Sequence, residues 1–171
     1  MEAIVLAGTN SESAPNGGKE ILRPMSLING RPFLSYQLEY WVKQNVEKFI
    51  IAVNPRTESV RDYFGNRFRG IELDYVVEKR AMGSGGSLLV CSQRVLEETF
   101  LVLSSETFVE LPLEKLVAFH ETQGAEATMV VTPSRKGETA LCVETEKDGR
   151  VTAVYASADD VRATGPMNTG T

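Results

Sequence analysis

KFIIAVNPRTESVRDYFGNRFRGIELDYVVEKRAMGSGGSL, residues 48–88, decides the fold. Lys48–Val53 is a short apolar run of strand length, rich in β-branched residues. Thr57 stands where a cap belongs for a short helix carrying Val60, Tyr63 and Phe64. Ile71–Val77 alternates as the next strand, and Gly83–Gly86 leads into a helix holding Leu88, Leu89 and Val95. Strand, helix, strand, helix is the repeating unit of a parallel sheet covered by helices.

The same alternation runs outward in both directions. Ala3–Ala7 (AIVLA) reads as a buried strand, and Gly8–Lys19 is too polar and irregular for helix or strand. Pro32 opens a helix through about Gln44, with Phe33, Leu34, Leu38, Trp41 and Val42 as its apolar stripe. Downstream, Thr99–Leu103 is a strand, and Leu113–Thr122 a helix with Leu116, Val117 and Phe119 inward, ended by Gly124. Ala127–Thr132 is again a strand. Leu141–Glu144 and Val151–Tyr155 form a hairpin across Asp148-Gly149. The expected fold is α/β: a Rossmann-like, mostly parallel sheet sandwiched by helices, in one domain spanning 1–171.

Composition narrows the function. The chain has 171 residues, 42% hydrophobic and 24% charged, with a net charge of −5 and no long basic run. Nucleic acid is not an expected partner, because binding a phosphate backbone rests on clustered Lys and Arg. Its two cysteines, Cys91 and Cys142, form no CxxC or Cys/His group and read as buried free thiols. No apolar run reaches the ~18–20 residues that span a bilayer, so no membrane partner and a cytoplasmic location are expected.

Ligands on such a sheet gather at the carboxyl ends of its strands. Three loops follow strands. LAGTNSESAPNGGKEILRPM has a glycine where backbone amides can approach a phosphate or base, but it is neither a P-loop nor a GxGxxG turn. KRAMGSGGSL sets three glycines and two serines before a helix, whose N-terminus suits an anion or a nucleobase carbonyl. LVLSSETF puts Glu106 at a strand end, where a carboxylate either helps hold Mg²⁺ or caps the next turn. His120 has no nucleophile or metal ligand near it in sequence and reads as a surface histidine.

Together, MEAIVLAG, ILRPMSLINGRPFLSYQLEYWVKQNV, VRDYFG, GSGG, TFLVLSSETF, EKDGRV and GPMNTG occur in an order that resembles the sugar-1-phosphate nucleotidyltransferases. The likeness is nearest to the guanylyltransferases for D-glycero-D-manno-heptose 1-phosphate and mannose 1-phosphate. It implies the nucleotide-diphospho-sugar transferase type of fold, truncated at the C-terminus, with a nucleoside triphosphate and a sugar 1-phosphate as substrates. A sugar-phosphate oxygen would attack the α-phosphorus, pyrophosphate would leave with Mg²⁺ help, and GMP is the group transferred. Leu6, Ala7, Gly8 and Thr9, with Gly83, Ser84, Gly85 and Gly86, fall on the family's nucleotide-binding positions. Arg23 falls on its catalytic lysine, Glu106 on its metal-binding aspartate, and Glu144, Asn168 and Gly170 on its sugar contacts. A homo-oligomer or an active paralogue is a further partner the resemblance allows.

Several positions depart from the family's pattern. The arginine that grips the triphosphate falls on Ser13, and Glu12 adds negative charge beside it. The Glu-Lys pair that holds sugar and phosphate falls on Ser157 and Ala158, a backbone-contact glycine on Leu141, and the metal turn's glycine on Ser105. Two functions follow: a working transferase that uses Arg23 and Glu106 in altered roles, or a weak or inactive paralogue that binds nucleotide or sugar phosphate and regulates.

Overall fold

The computed structural model describes residues 1–8, 23–80, 82–133 and 142–155, and the backbone of 167–168. In chain order the elements are β1 (Glu2–Leu6), a 3₁₀ turn at Arg23–Met25, β2 (Leu27–Ile28), β3 (Arg31–Pro32), α1 (Phe33–Val42), β4 (Lys48–Val53) and α2 (Glu58–Phe64). Next come β5 (Arg67–Phe68), β6 (Ile71–Val77), α3 (Gly83–Ser92), β7 (Leu101–Ser104) and α4 (Leu113–Gln123). The last four are β8 (Val131–Thr132), β9 (Cys142–Thr145), β10 (Val151–Tyr155) and β11 (Met167–Asn168). The chain divides into two compact units, Met1–Phe108 and Val109–Thr171.

The first unit is built on a sheet ordered β5-β6-β4-β1-β7, in which β6, β4, β1 and β7 run parallel and β5 is an antiparallel edge. The expected parallel sheet is present. Register places Ile4 opposite Ile50 on β4 and Val102 on β7. Side chains alternate between faces, so Ile4, Ile50, Ala52 and Val76 share one face, where Cys91 of α3 completes the cluster. Ala3, Val5, Phe49, Ile51 and Leu103 point the opposite way and are equally buried, as are Leu34, Leu38 and Trp41 of α1. Strands buried on both faces read as continuous apolar runs, which is why AIVL and FIIAV lack alternation. Each large side chain so buried contributes about 1.5–3 kcal/mol.

Both cysteines are free and buried. Burial pushes the Cys91 thiol up to about 11, with the Glu78 and Asp74 carboxylates adding to the effect. Thr57 precedes α2 but its hydroxyl does not cap the helix. It accepts a 2.8 Å bond from the Asn54 N–H instead and closes the turn after β4.

The second unit carries a sheet ordered β10-β9-β11-β8, with all three pairings antiparallel. The β9–β10 hairpin turns at Gly149, whose φ of 91° requires glycine. The longer strand expected over Ala127–Thr132 shortens to Val131–Thr132. Phe119 is 45% exposed, so the inward stripe expected for α4 stops short of it, and Leu113 is that helix's buried anchor. His120 shares a 2.9 Å hydrogen bond with the Thr128 hydroxyl, which gives it a local structural role.

Candidate active site

Parallel strands bring their carboxyl ends to one edge, and the residues just past β1, β4, β6 and β7 meet there. Asn54 follows β4 and donates from Nδ2 to the Gly8 carbonyl at 2.7 Å. Glu78 follows β6, its N–H bonded to the Val53 carbonyl at 2.7 Å. A Cβ added at Gly8 would lie 3.2 Å from the Glu78 carboxyl group. Glycine favours this close approach: its bare backbone lets a carboxylate lie against the chain after β1, where a methyl would make the carboxyl shift by a few tenths of an ångström. Glu78 is 3% exposed, and its Oε1 has no hydrogen-bond partner among the described residues. A buried carboxylate oxygen without a donor is costly, and such groups persist where a function uses them.

Just beyond Glu78, Gly83–Gly86 form the first turn of α3, so the helix begins with the glycines that the sequence reading placed ahead of it. Met82 precedes it and provides no side-chain cap hydrogen bond to its first amides. Gly86 packs so closely on Met82 that an added Cβ would stand 2.6 Å from the Met82 Cβ. Ser84 and Gly85 are exposed.

On the other side of β1, the turn after β7 carries Glu106. Leu6 pairs with Ser104, and the Ser105 N–H donates to the Leu6 carbonyl at 3.3 Å. Ser105 is fully buried and does not take a positive φ, so this turn closes without the glycine that the family's pattern has. The Glu106 carboxylate meets the Arg23 guanidinium at 3.0 Å. The two side chains assigned to phosphate and metal thus neutralise each other. Arg23 is 61% exposed, and an ion pair so open to water is worth about 0–1 kcal/mol. It yields readily to a polyphosphate or a cation.

Behind that turn lies Gln37 of α1, which donates from Nε2 to the carbonyls of Ser104 and Thr107, both at 2.7 Å. Among the described residues its Oε1 is buried without a partner, as is the Ser105 hydroxyl. Two bonds worth about 0.5–1.5 kcal/mol each are offset by an orphan acceptor costing about 1–3 kcal/mol. Stability alone does not explain a glutamine here.

Of the residues singled out in the sequence, Leu6, Ala7, Gly8, Arg23, Gly83, Ser84, Gly85, Gly86 and Glu106 all belong to the first unit. Ala7 is buried, its N–H bonded to the Ala52 carbonyl at 3.1 Å. Glu144 is half-buried in β9 and Asn168 lies in β11, both in the second unit. Thr9, Ser13, Leu141, Ser157, Ala158 and Gly170 lie outside the described residues. Asn54, Glu78 and Gln37 are additions. Glu78 follows its strand just as Glu106 does, and Gln37 is a polar residue within the helical stripe of Leu34, Leu38 and Trp41. Those were the available signals.

Among the described residues no cluster of three or more metal-ligating side chains stands together. A lone carboxylate fits a Mg²⁺ that arrives with its phosphates, which commonly takes one or two carboxylates from the protein. Nor is any described helix long and apolar enough to cross a membrane.

The nucleotidyl transferase family profile matches residues 18–155, most of the chain. The chain belongs to the nucleotidyl transferase family. A D-glycero-alpha-D-manno-heptose 1-phosphate guanylyltransferase of Aneurinibacillus thermoaerophilus is 31% identical over 153 residues, 90% of this chain and 66% of that one. Its counterpart in Campylobacter jejuni is 36% identical over 116 residues, 68% of this chain and 52% of that one. This family member therefore spans between half and two thirds of the length of those curated relatives. Crystal structures of HddC from Yersinia pseudotuberculosis superpose with TM-scores of 0.83 and, in complex with GMP-PN, 0.82. They share 20% identity and cover 99% of this chain and 74% of the other, which establishes the Rossmann-like nucleotide-diphospho-sugar transferase fold.

Proposed function

We propose that this chain carries the nucleotide site of a sugar-1-phosphate guanylyltransferase, which transfers GMP from GTP to a sugar 1-phosphate and releases pyrophosphate. The observation that carries it is Glu78: a buried carboxylate, one oxygen unpaired among the described residues, seated against Gly8 at the carboxyl edge of a parallel sheet. Guanine is the common base whose Watson–Crick edge offers two adjacent donors, N1–H and the 2-amino group. Two carboxylate oxygens match them, whereas the Watson–Crick edges of adenine, cytosine and uracil each offer a single donor position beside one or two acceptors. The relatives, named as guanylyltransferases, support the same base.

In this mechanism Glu78 orients the base and the first turn of α3, with Gly8, borders the nucleotide. A sugar-phosphate oxygen bonds to the α-phosphorus as the bond to the departing pyrophosphate breaks. Arg23 turns from Glu106 to the triphosphate, and Glu106 turns to the cation. Mg²⁺, when bound with the triphosphate, neutralises charge on the leaving pyrophosphate. Glu144, Asn168 and Gly170 are assigned to the sugar, and the cytoplasm is where these substrates occur.

A turnover assay tests this, using GTP, ATP, UTP, CTP and dTTP with heptose, mannose and glucose 1-phosphates and Mg²⁺. GTP should give a nucleotide sugar. No product from any pair would overturn the enzyme reading and favour the second one, a weakened paralogue that binds and regulates. That alternative is supported by the mutual pairing of Arg23 and Glu106, together with Ser13 and Ala158.

A further inference from the structure

We infer that Gln37 is a positioning residue for the Glu106 carboxylate, acting through the turn that carries it; this rests on assigning Glu106 to the metal–triphosphate. Gln37 is 1% exposed, and its Nε2 donates to the carbonyls of Ser104 and Thr107, at 2.7 Å each. Only the NH₂ end of an amide can donate to two carbonyls, so the chemistry fixes its orientation. Those carbonyls flank Ser105 and Glu106, so one side chain spans the whole turn. From the other side, the Ser105 N–H is tied to the Leu6 carbonyl, and the Glu106 N–H to the Ser104 hydroxyl, each at 3.3 Å. The backbone of Glu106 is held from β1 and from α1 together.

Two departures make such a clasp useful. Ser105 replaces a glycine of the family's turn and does not take a positive φ, so the turn follows a course of its own, and the clasp holds it there. Glu106 replaces an aspartate, and its extra methylene adds a rotatable bond between backbone and carboxylate. A fixed backbone restricts where that longer arm can reach. The same helix also anchors the opposing cation. The Phe33 N–H at the start of α1 bonds the Ser26 carbonyl at 2.8 Å, and the Ser26 N–H bonds the Arg23 carbonyl at 3.1 Å. α1 therefore sets Arg23 through its first residue and Glu106 through Gln37, one turn further along.

The test compares the native chain with Gln37→Met, which keeps length and loses both donors, and Gln37→Asn, whose shorter arm reaches at most one carbonyl. Amide exchange is followed in the free protein at residues 105–107, with Phe49–Val53 of β4 as the internal reference. Mn²⁺ binding is measured by the free-ion resonance signal with saturating GTP, and GTP binding is measured without metal. Gln37→Met should accelerate exchange at 105–107 while β4 stays protected, and should weaken Mn²⁺ binding by roughly tenfold or more, as loss of a supporting hydrogen bond does at metal sites. Metal-free GTP affinity should not change, and Gln37→Asn should fall between. Unchanged Mn²⁺ affinity in a folded variant overturns the proposal, and so does an equal loss of metal-free GTP binding. If Gln37→Met does not fold, Gln37→Asn decides by the same criteria. If the native chain binds no GTP, the guanylyltransferase assignment fails on its own account. Exchange then decides the clasp, and unaltered rates at 105–107 overturn it.

Discussion

The two sides of β1 contrast. Toward β4 and β6, Gly8, Asn54 and Glu78 form a buried cradle tied by 2.7 Å bonds, with a carboxylate oxygen left unpaired among the described residues. Toward β7, the Glu106 turn is held as firmly from behind, but its carboxylate is already paired with the exposed Arg23. Under the proposed function, the first side is the base side, ready for a ligand, and the second is the phosphate side, which a ligand must open and whose second cation is replaced by Ser13. On the proposed reading, recognition and catalysis separate along this edge: the cradle would favour binding of guanine, while the open side would set a lower rate.

The largest effect should come from rebuilding the phosphate and sugar side. Ser13→Arg, Arg23→Lys, Glu106→Asp and Ala158→Lys in one chain should raise turnover by roughly 10³-fold, since each restored cationic contact contributes about 2–4 kcal/mol to the transition state. Thermal unfolding of the variant should be little altered. Nucleotide-sugar formation under saturating substrates measures it, and an unchanged rate would mean that the substitutions are not what limits this chain.

Next is the base side. Glu78→Gln removes an acceptor and should weaken GTP binding by about tenfold to hundredfold, the range for a charged hydrogen bond. Binding of ATP and UTP should be nearly unaffected. A smaller change tests the close approach: Gly8→Ala puts a methyl 3.2 Å from the Glu78 carboxyl, which must shift by a few tenths of an ångström. GTP affinity should fall a few-fold, with little loss of stability because the displaced group ends a flexible side chain.

The smallest effect lies away from both sides. The Arg31 guanidinium bonded to Glu39 at 2.8 Å, aided by Arg69 and Lys43 against the effect of burial, holds the Glu39 carboxyl down to about 2. A carboxyl depressed on folding adds stability that is present above its unfolded value and lost as pH falls toward the folded one. Glu39→Gln should lower the melting temperature slightly at neutral pH, and the difference should fade on acidification toward pH 2. GTP binding should not respond at all.

The sheet was legible because parallel strands buried on both faces leave long apolar runs, and β1, β4 and β6 begin and end within a residue or two of where AIVLA, KFIIAV and IELDYVV place them. Short strands such as β2, β3 and β5 escaped, since two residues of pairing leave no periodicity. At the site, Gly8, Glu106 and the GSGG turn were visible because loops after strands are where ligands gather. Gln37 was not singled out, because a lone polar residue in an apolar helical stripe gives no hint of which carbonyls it reaches. Glu78 was hidden by its neighbours Lys79 and Arg80, which make it look like part of an exposed charged loop. Register, not sequence, buries it.

The most direct test of guanine recognition is a cycle of four affinities: GTP and inosine triphosphate, each with the native chain and with Glu78→Gln, in Mg²⁺. Inosine keeps N1–H and lacks the 2-amino group. The native chain should prefer GTP by about tenfold, the worth of one such bond, and the variant should not distinguish the two. Equal affinities in the native chain, or a preference that survives Glu78→Gln, would contradict it.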